Sequence, residues 1–144
     1  MTRGARPARL WHVPWLLRIL WAHEGSTDRP RHSDAALMVR LIRQGAVRVI
    51  ADARGPVGFM ARQGSVVLAL YVHPRVQGQG NGSALLTDAK AHQPQLELWT
   101  LQDNTAARRF YATHGFVEVA RGAGLGNDKG LPDIHLAWQK EEVA

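Results

Sequence analysis

The apolar positions of this 144-residue chain recur first at helical spacing and later alternate. A short strand is predicted around Arg3–Pro7. A helix follows from Pro14, because proline fits a first helical turn and Leu16, Leu17, Leu20 and Trp21 then repeat on one face. Residues 25–30 are polar and turn-rich, which predicts a loop. Ser33 is placed to cap a second helix, in which Leu37/Leu41 and Met38/Ile42 are i, i+4 pairs. Gly45 ends it.

The period then changes. Val47–Asp52 and Val57–Arg62 read as strands joined by a turn at residues 53–56, with a second turn at Gln63-Gly64. Val66–Val72 is almost wholly apolar, so it is expected to be a central strand buried on both faces. His73-Pro74 stops it. Leu85, Leu86 and Ala89 mark a helix that ends before Pro94. Leu96–Leu101 is the next strand. Asn104 caps a helix carrying the pairs Ala106/Phe110 and Ala107/Tyr111, and Gly115 suits its C-terminal end. A strand over Phe116–Ala120 and a glycine-rich loop over residues 122–132 lead to a last strand, where Ile134, Leu136 and Trp138 share one face. The order β-α-α-β-β-β-α-β-α-β-β predicts an α/β sandwich around a mixed sheet.

Composition narrows the class. Hydrophobic residues make up 45% and charged residues 21% of a 15.9 kDa chain, the usage of one globular domain, here residues 1–144. No window of ~18 apolar residues exists, so no transmembrane helix or membrane partner is expected. The basic, proline-interrupted N-terminus does not read as a signal peptide, and a cytoplasmic protein is expected. The absence of cysteine excludes disulfides, thiolate metal sites and a cysteine nucleophile. The seven histidines show no short ligand spacing, so no metal is implied. The net charge of +6 is uneven: residues 1–62 hold eleven arginines against four acids, a balance of +7.

The most informative segment is Val72-His73-Pro74-Arg75-Val76-Gln77-Gly78-Gln79-Gly80-Asn81-Gly82-Ser83-Ala84-Leu85-Leu86. An apolar strand runs into three alternating glycines that open a helix. Glycine lets backbone turn tightly and approach a ligand. The first N–H groups of a helix have no internal partners and point along its dipole, which suits phosphate. The segment is a candidate pyrophosphate cradle or, alternatively, a plain surface turn. It is not a Walker loop, since no lysine follows Gly82. Nor is it the dinucleotide fingerprint, whose glycine spacing differs.

These residues resemble the acyl-coenzyme A loop of the GNAT superfamily of N-acetyltransferases, Arg/Gln-x-x-Gly-x-Gly/Ala. Two registers fit, Arg75…Gly78…Gly80 and Gln77…Gly80…Gly82. A second stretch, Asn104-x-x-Ala107-x-x-Phe110-Tyr111-x-x-x-Gly115-Phe116, is similar to the family's other recurrent motif and lies one strand beyond the glycine helix. Arg6-Pro7-Ala8 before the first helix, and Gly126-Asn127 followed by Leu131-Pro132-Asp133-Ile134, are also similar to many members. The resemblance implies a mostly antiparallel twisted sheet with helices on both faces. It also implies an acyltransferase that moves an acetyl group from acetyl-coenzyme A, as co-substrate, to the primary amine of a small molecule or peptide.

The resemblance further implies that Gln77, Gly78, Gln79, Gly80, Asn81, Gly82 and Ser83 hold the pyrophosphate, mainly through backbone donors. Tyr71 and Val72 would line the pantetheine arm, with a backbone N–H near Val72 polarising the thioester oxygen. Tyr111 is the expected catalytic acid. A phenol with an ordinary pKa of ~10 can protonate a nascent thiolate, whose thiol has one of ~8.5. Its alternative role is packing beside Ala107. Asn104 would contact the pantetheine or serve as a plain N-cap. Arg108 and Arg109 form a solvated helix face or meet the coenzyme's 3′-phosphate.

A glutamate that some members carry before the glycine loop is absent, because Gly64, Ser65 and Val66 stand there. Glu97 and His32 are candidate bases, but deprotonation through ordered water is favoured. The arginine-rich N-terminal half suggests an acceptor bearing an anionic group, with Arg29, Arg31 and His32 facing it. Two other classes stay open: a non-catalytic acyl-coenzyme A sensor on the same fold, and a basic module binding nucleic acid, the less favoured of the two. Many family members dimerise, so a homodimer is also open.

Overall fold

The computed structural model describes residues 4–24, 31–124 and 130–141, apart from the side chains of His23, Glu24 and Arg31. Its elements are β1 (Arg6–Pro7), α1 (Val13–Glu24), α2 (Arg31–Arg43), β2 (Val47–Asp52), β3 (Gly55–Gln63), β4 (Val66–Val72), α3 (Asn81–His92), β5 (Gln95–Leu101), α4 (Thr105–Thr113), β6 (Val117–Gly122) and β7 (Asp133–Gln139). Seven strands form a mixed sheet ordered β1-β2-β3-β4-β5-β7-β6. Every recorded pairing is antiparallel except β4 with β5. The chain falls into two compact units, the described residues within Met1–Gln63 and Val67–Ala89, and those within Gly64–Val66 and Lys90–Ala144.

In the first unit the helical stripes and the alternating strands meet as their spacing requires. Leu16 and Ile19 of α1, Met38, Leu41 and Ile42 of α2, and Val47, Val49, Phe59 and Ala61 of β2 and β3 form one buried cluster. Burying a side chain of this kind contributes roughly 1.5–3 kcal/mol. Pro14 occupies the second position of α1, where its missing N–H costs no helical bond. Asp52 and Gly55 face each other across a two-residue turn, and Arg54 N–H donates to Asp52 Oδ1 at 2.8 Å. β3 thus begins two residues earlier than its apolar run suggested.

Two expectations need correction. Ser33 is the third residue of α2, which already includes Arg31, so it does not cap that helix. Asp34 in the same first turn suits the positive end of the helix dipole. β4 is not buried on both faces. Of its seven residues Val67 alone is buried, and Leu68 is 48% exposed. The apolar run reflects a wall around a cavity rather than a strand covered twice.

In the second unit β5 pairs with β7 along its whole length, from Gln95↔Gln139 to Leu101↔Asp133. β7 also pairs with β6, with a register shift between Glu118 and Ala120. Leu96, Leu98, Ile134 and Leu136 are buried, as their alternation requires. β4 meets β5 in parallel at Val66↔Glu97, and Glu97 N–H donates to the Ser65 carbonyl at 2.8 Å. Asn104 Oδ1 accepts from Ala107 N–H at 3.2 Å, capping α4. Gly115 ends the motif with φ +88°, and an added Cβ there would lie 3.2 Å from Trp138 Cδ1. Glycine is therefore required twice, by conformation and by space.

Candidate functional site

In the first unit β4 delivers Tyr71 and Val72 directly to the glycine turn. His73 leaves the strand, and its N–H donates to the Val57 carbonyl at 2.7 Å. Its Nδ1 accepts from Arg75 N–H at 3.1 Å, which closes a short 3₁₀ turn over Pro74–Val76. Val76 is buried and anchors this turn. The Arg75 guanidinium reaches Asp52 Oδ2 at 3.5 Å, and Gln77 Nε2 donates to the Val72 carbonyl at 3.4 Å. Both contacts fold the segment back onto the strand ends before the glycines begin.

Gly78 and Gly80 have φ of +78° and +84°, the left-handed region that side-chain-bearing residues avoid. An added Cβ at either would meet nothing within 4 Å. The turn is therefore glycine-rich for conformation, and it leaves open space above its backbone. Asn81 begins α3, and the Gly80 carbonyl accepts the first helical bond from Ala84 N–H at 3.0 Å. Leu85, Leu86 and Ala89 bury one face of α3 and hold its N-terminus in place. An open glycine turn followed by a helix start fits a pyrophosphate chemically, since backbone donors and the helix dipole converge there. Gln77, Gly78, Gln79 and Gly80 are exposed at this turn, and Asn81, Gly82 and Ser83 are partly buried in the first turn of α3.

Gly58 was not singled out by the sequence, yet it shapes the same place. A Cβ on Gly58 would lie 3.1 Å from the Tyr71 carbonyl oxygen and 3.3 Å from Val72 Cγ2. Its absence lets β3 approach β4 where the coenzyme arm is expected. The signal was available, because an isolated glycine between Val57 and Phe59 marks close backbone approach.

Beside Tyr71 lies a cavity of about 270 Å³. Its walls come from α1, α2, β3 and β4: Leu20, Asp34, Leu37, Met38, Leu41, Phe59, Ala61, Leu68, Ala69 and Tyr71. Tyr71 packs its ring against Phe59, with centroids 5.8 Å apart. Asp34 is 7% exposed, and its Oδ2 accepts from Trp21 Nε1–H at 2.9 Å. Among the described lining residues Asp34 carries a charge and Tyr71 a hydroxyl, and the others are apolar. Asp34 was also missed, although Asp34, Met38 and Leu41 fall at helical spacing on one face.

The acceptor residues expected from the arginine count fare differently. Arg29 lies outside the described residues, and so does the side chain of Arg31. His32 is exposed on the first turn of α2 and does not line the cavity. Among the described residues of the wall the charged side chain is that of Asp34.

Asn104 and Tyr111 belong to the second unit. Asn104 is exposed and caps α4. Tyr111 is 8% exposed, with its ring edge-on to Phe110 at 5.2 Å and to Phe116 at 5.3 Å. Its carbonyl accepts from the N–H groups of His114 and Phe116, each at 3.0 Å. Arg108 donates to the Gln102 carbonyl at 2.9 Å, while Arg109 is exposed. Glu97 is half-buried on β5. Burial holds the His114 imidazole below its ordinary pKa, and the positive charge of Lys90 adds to this. Among the described residues no group of three or more histidine or carboxylate side chains is arranged to hold a metal ion, and no helix is long and apolar enough to cross a membrane.

Comparison with known proteins addresses the same features. The family described as Acetyltransferase (GNAT) domain matches residues 43–118, more than half of the chain. A peptidyl-lysine N-acetyltransferase, YjaB of Salmonella typhimurium, is 38% identical over 89 residues, 62% of this chain. That match spans only 61% of the relative's own length. The solution structure of apo-form YjaB from Escherichia coli superposes with a TM-score of 0.77 at 26% identity, covering 98% of this chain and all of that one. A Bacillus anthracis structure in complex with acetyl coenzyme A is similar at a TM-score of 0.60 and 19% identity, over 66% of this chain and 62% of that one. The matched residues include the glycine turn, the start of α3 and the whole of α4, so the chain belongs to the GNAT acetyltransferase family.

Proposed function

We propose that residues 1–144 act as one acetyltransferase domain that moves an acetyl group from acetyl-coenzyme A to a primary amine, foremost a lysine side chain of a peptide. The observation that carries this reading is the continuity, within one unit, of Tyr71 and Val72, the open glycine turn at Gly78 and Gly80, and the cavity beside Tyr71. One stretch of chain can thus serve the donor at its turn and the acceptor at its wall. The names of the YjaB relatives favour a peptidyl lysine, and the Bacillus anthracis neighbour's ligand favours acetyl-coenzyme A.

When bound, acetyl-coenzyme A would supply the acetyl group as a thioester. Gly78 to Ser83 would hold its pyrophosphate through backbone N–H groups and the dipole of α3. The backbone at Val72 would hydrogen-bond the carbonyl oxygen, whose charge grows as an amine attacks. The acceptor nitrogen bonds to carbon, the carbon–sulfur bond breaks, and the amine's proton leaves through ordered water. Tyr111 would give its phenolic proton to the departing thiolate and regain one from the water that takes the amine's proton.

The test is direct. The protein is incubated with acetyl-coenzyme A and a lysine-bearing peptide whose N-terminus is blocked. Free thiol is measured alongside the peptide mass. Equal amounts of coenzyme A and singly acetylated peptide are expected. Tight coenzyme binding without transfer to any amine would instead favour the sensor.

A further inference from the structure

The last strand of the sheet order, β6, has one edge without a neighbouring strand among the described residues. Edge strands present free backbone N–H and C=O groups, and proteins commonly blunt them with proline, lysine or a very short strand. β1, at the other end of the order, has two residues, one of them Pro7. β6 has six, Val117-Glu118-Val119-Ala120-Arg121-Gly122, with neither proline nor lysine. All but Gly122 are exposed, Val117 at 64% and Val119 at 57%. The charges of β6 also follow a pattern. In a regular strand Glu118 and Arg121 would point to opposite faces. The register shift between Glu118 and Ala120 changes this: Glu118 pairs with Leu136 and Arg121 with Ile134, two residues apart on β7, so both lie on one face. Arg121 Nη2 reaches Glu118 Oε2 at 3.3 Å, and Nε meets Oε1 of the same carboxylate. Val117 and Ala120, opposite Ala137 and His135, lie on the other face. There His135 stacks on Trp99, which is 54% exposed, so apolar surface runs from the edge into the sheet. Exposed apolar surface of this kind marks an interaction site.

We propose that β6 pairs antiparallel with β6 of a second copy of this chain, about a two-fold axis between Val119 and Ala120. The strand is its own complement in that register. Glu118 lies opposite Arg121 of the second copy, and Arg121 lies opposite Glu118 of the second copy. The four charges then alternate around a square, each meeting the opposite sign along its own strand and across the seam. Cross-strand pairs of opposite charge stabilise, and like charges directly opposite destabilise. Val119 of each copy lies opposite Ala120 of the other at the centre, where both lose water. The free N–H and C=O groups of the edge find partners in the same step. The interface is isologous, as two-fold symmetry requires. Charges that would turn away an unmatched strand admit this one, which gives the edge its specificity. The assembly is independent of the transfer chemistry proposed above.

Sedimentation equilibrium of the full chain tests the pairing. The average mass should rise with concentration from 15.9 kDa towards twice that value. Glu118→Arg puts a guanidinium opposite Arg121, and Arg121→Glu puts a carboxylate opposite Glu118. Each variant alone should dimerise at least about tenfold more weakly than wild type. Mixed in equal amounts, the two variants should dimerise again, because every cross-strand pair then joins opposite charges. Wild type that stays at 15.9 kDa up to its solubility limit would overturn the proposal. So would single variants that dimerise as wild type does, or a mixture no tighter than its components. If a variant does not fold, hydrogen exchange on wild type decides alone. Amides of β6 should gain protection as concentration rises, and dimerisation without that gain contradicts the pairing.

Discussion

Arg48 on β2 and Asp88 on α3, forty residues apart, meet in a two-point ion pair: Nε to Oδ2 and Nη2 to Oδ1, both at 2.9 Å. Arg48 Nη2 also donates to the Ala5 carbonyl at 3.0 Å. The pair is partly shielded, with side chains 24% and 16% exposed. It fixes α3 against β2 and thereby helps to aim the helix N-terminus that follows Gly80. Asp88→Ala should cost about 1.5–3 kcal/mol, the range for a hydrogen bond to a charged group. The melting temperature should fall by several degrees. An unchanged melting curve would mean that the pair contributes nothing net.

Gly80→Val should weaken coenzyme A binding at least about tenfold, about 1.4 kcal/mol. With φ at +84° and open space around the position, a valine would strain the turn and fill the space above it. Gly45→Val is the matched control, since Gly45 has φ +72° and also meets nothing within 4 Å. Calorimetry should show a loss of affinity for Gly80→Val and none for folded Gly45→Val. Equal affinities in both would remove the cradle from the glycine turn.

Tyr111→Phe should leave coenzyme binding intact and lower turnover by ~10²–10⁴-fold, the usual worth of a positioned acid. The phenyl ring keeps the edge contacts with Phe110 and Phe116, so thermal stability serves as the internal check. Wild-type turnover in the variant would leave Tyr111 with packing alone.

Acid should destabilise the fold through histidine. Burial lowers the pKa of His12 below its ordinary value, and its Nδ1 accepts from Arg9 N–H at 2.8 Å, which requires the neutral ring. His114 is lowered for the same first reason. The unfolded chain therefore binds more protons than the folded one between the depressed values and about 6.5. The stability these groups contribute is fully present above about pH 6.5 and is lost as the pH falls through that window. Melting temperature should decline from pH 7 towards pH 5, and His12→Gln should flatten part of that decline. A profile that rises on acidification contradicts the assignment.

Local signals made much of the fold legible. The alternation of Val47, Val49, Phe59 and Ala61, the stripe of Leu85, Leu86 and Ala89, and the Asn104…Gly115 frame of α4 each depend on one element and its period. The errors arose where a residue's role depends on another element. The apolar run Val66–Val72 reads as doubly buried, but its exposure is decided by a cavity that α1 and α2 wall on the other side. Asp34 looks like one acid in a basic half-chain, and it matters only because Trp21 and Leu68 arrive beside it. Arg29 and the side chain of Arg31 lie outside the described residues, and among the described lining residues the charged side chain is that of Asp34. Gly58 matters through the close approach of Tyr71, which composition does not register.

The central claim is acetyl transfer through the first unit's cradle and cavity, and initial-rate kinetics test it most directly. Acetyl-coenzyme A and a blocked lysine peptide are varied together, and both coenzyme A and acetyl-peptide are quantified. Direct attack within a ternary complex predicts double-reciprocal lines that intersect, with one acetyl-peptide formed for each coenzyme A released. Parallel lines would point to a covalent acetyl-enzyme, and coenzyme A release without acetyl-peptide to hydrolysis. Either result would contradict the account.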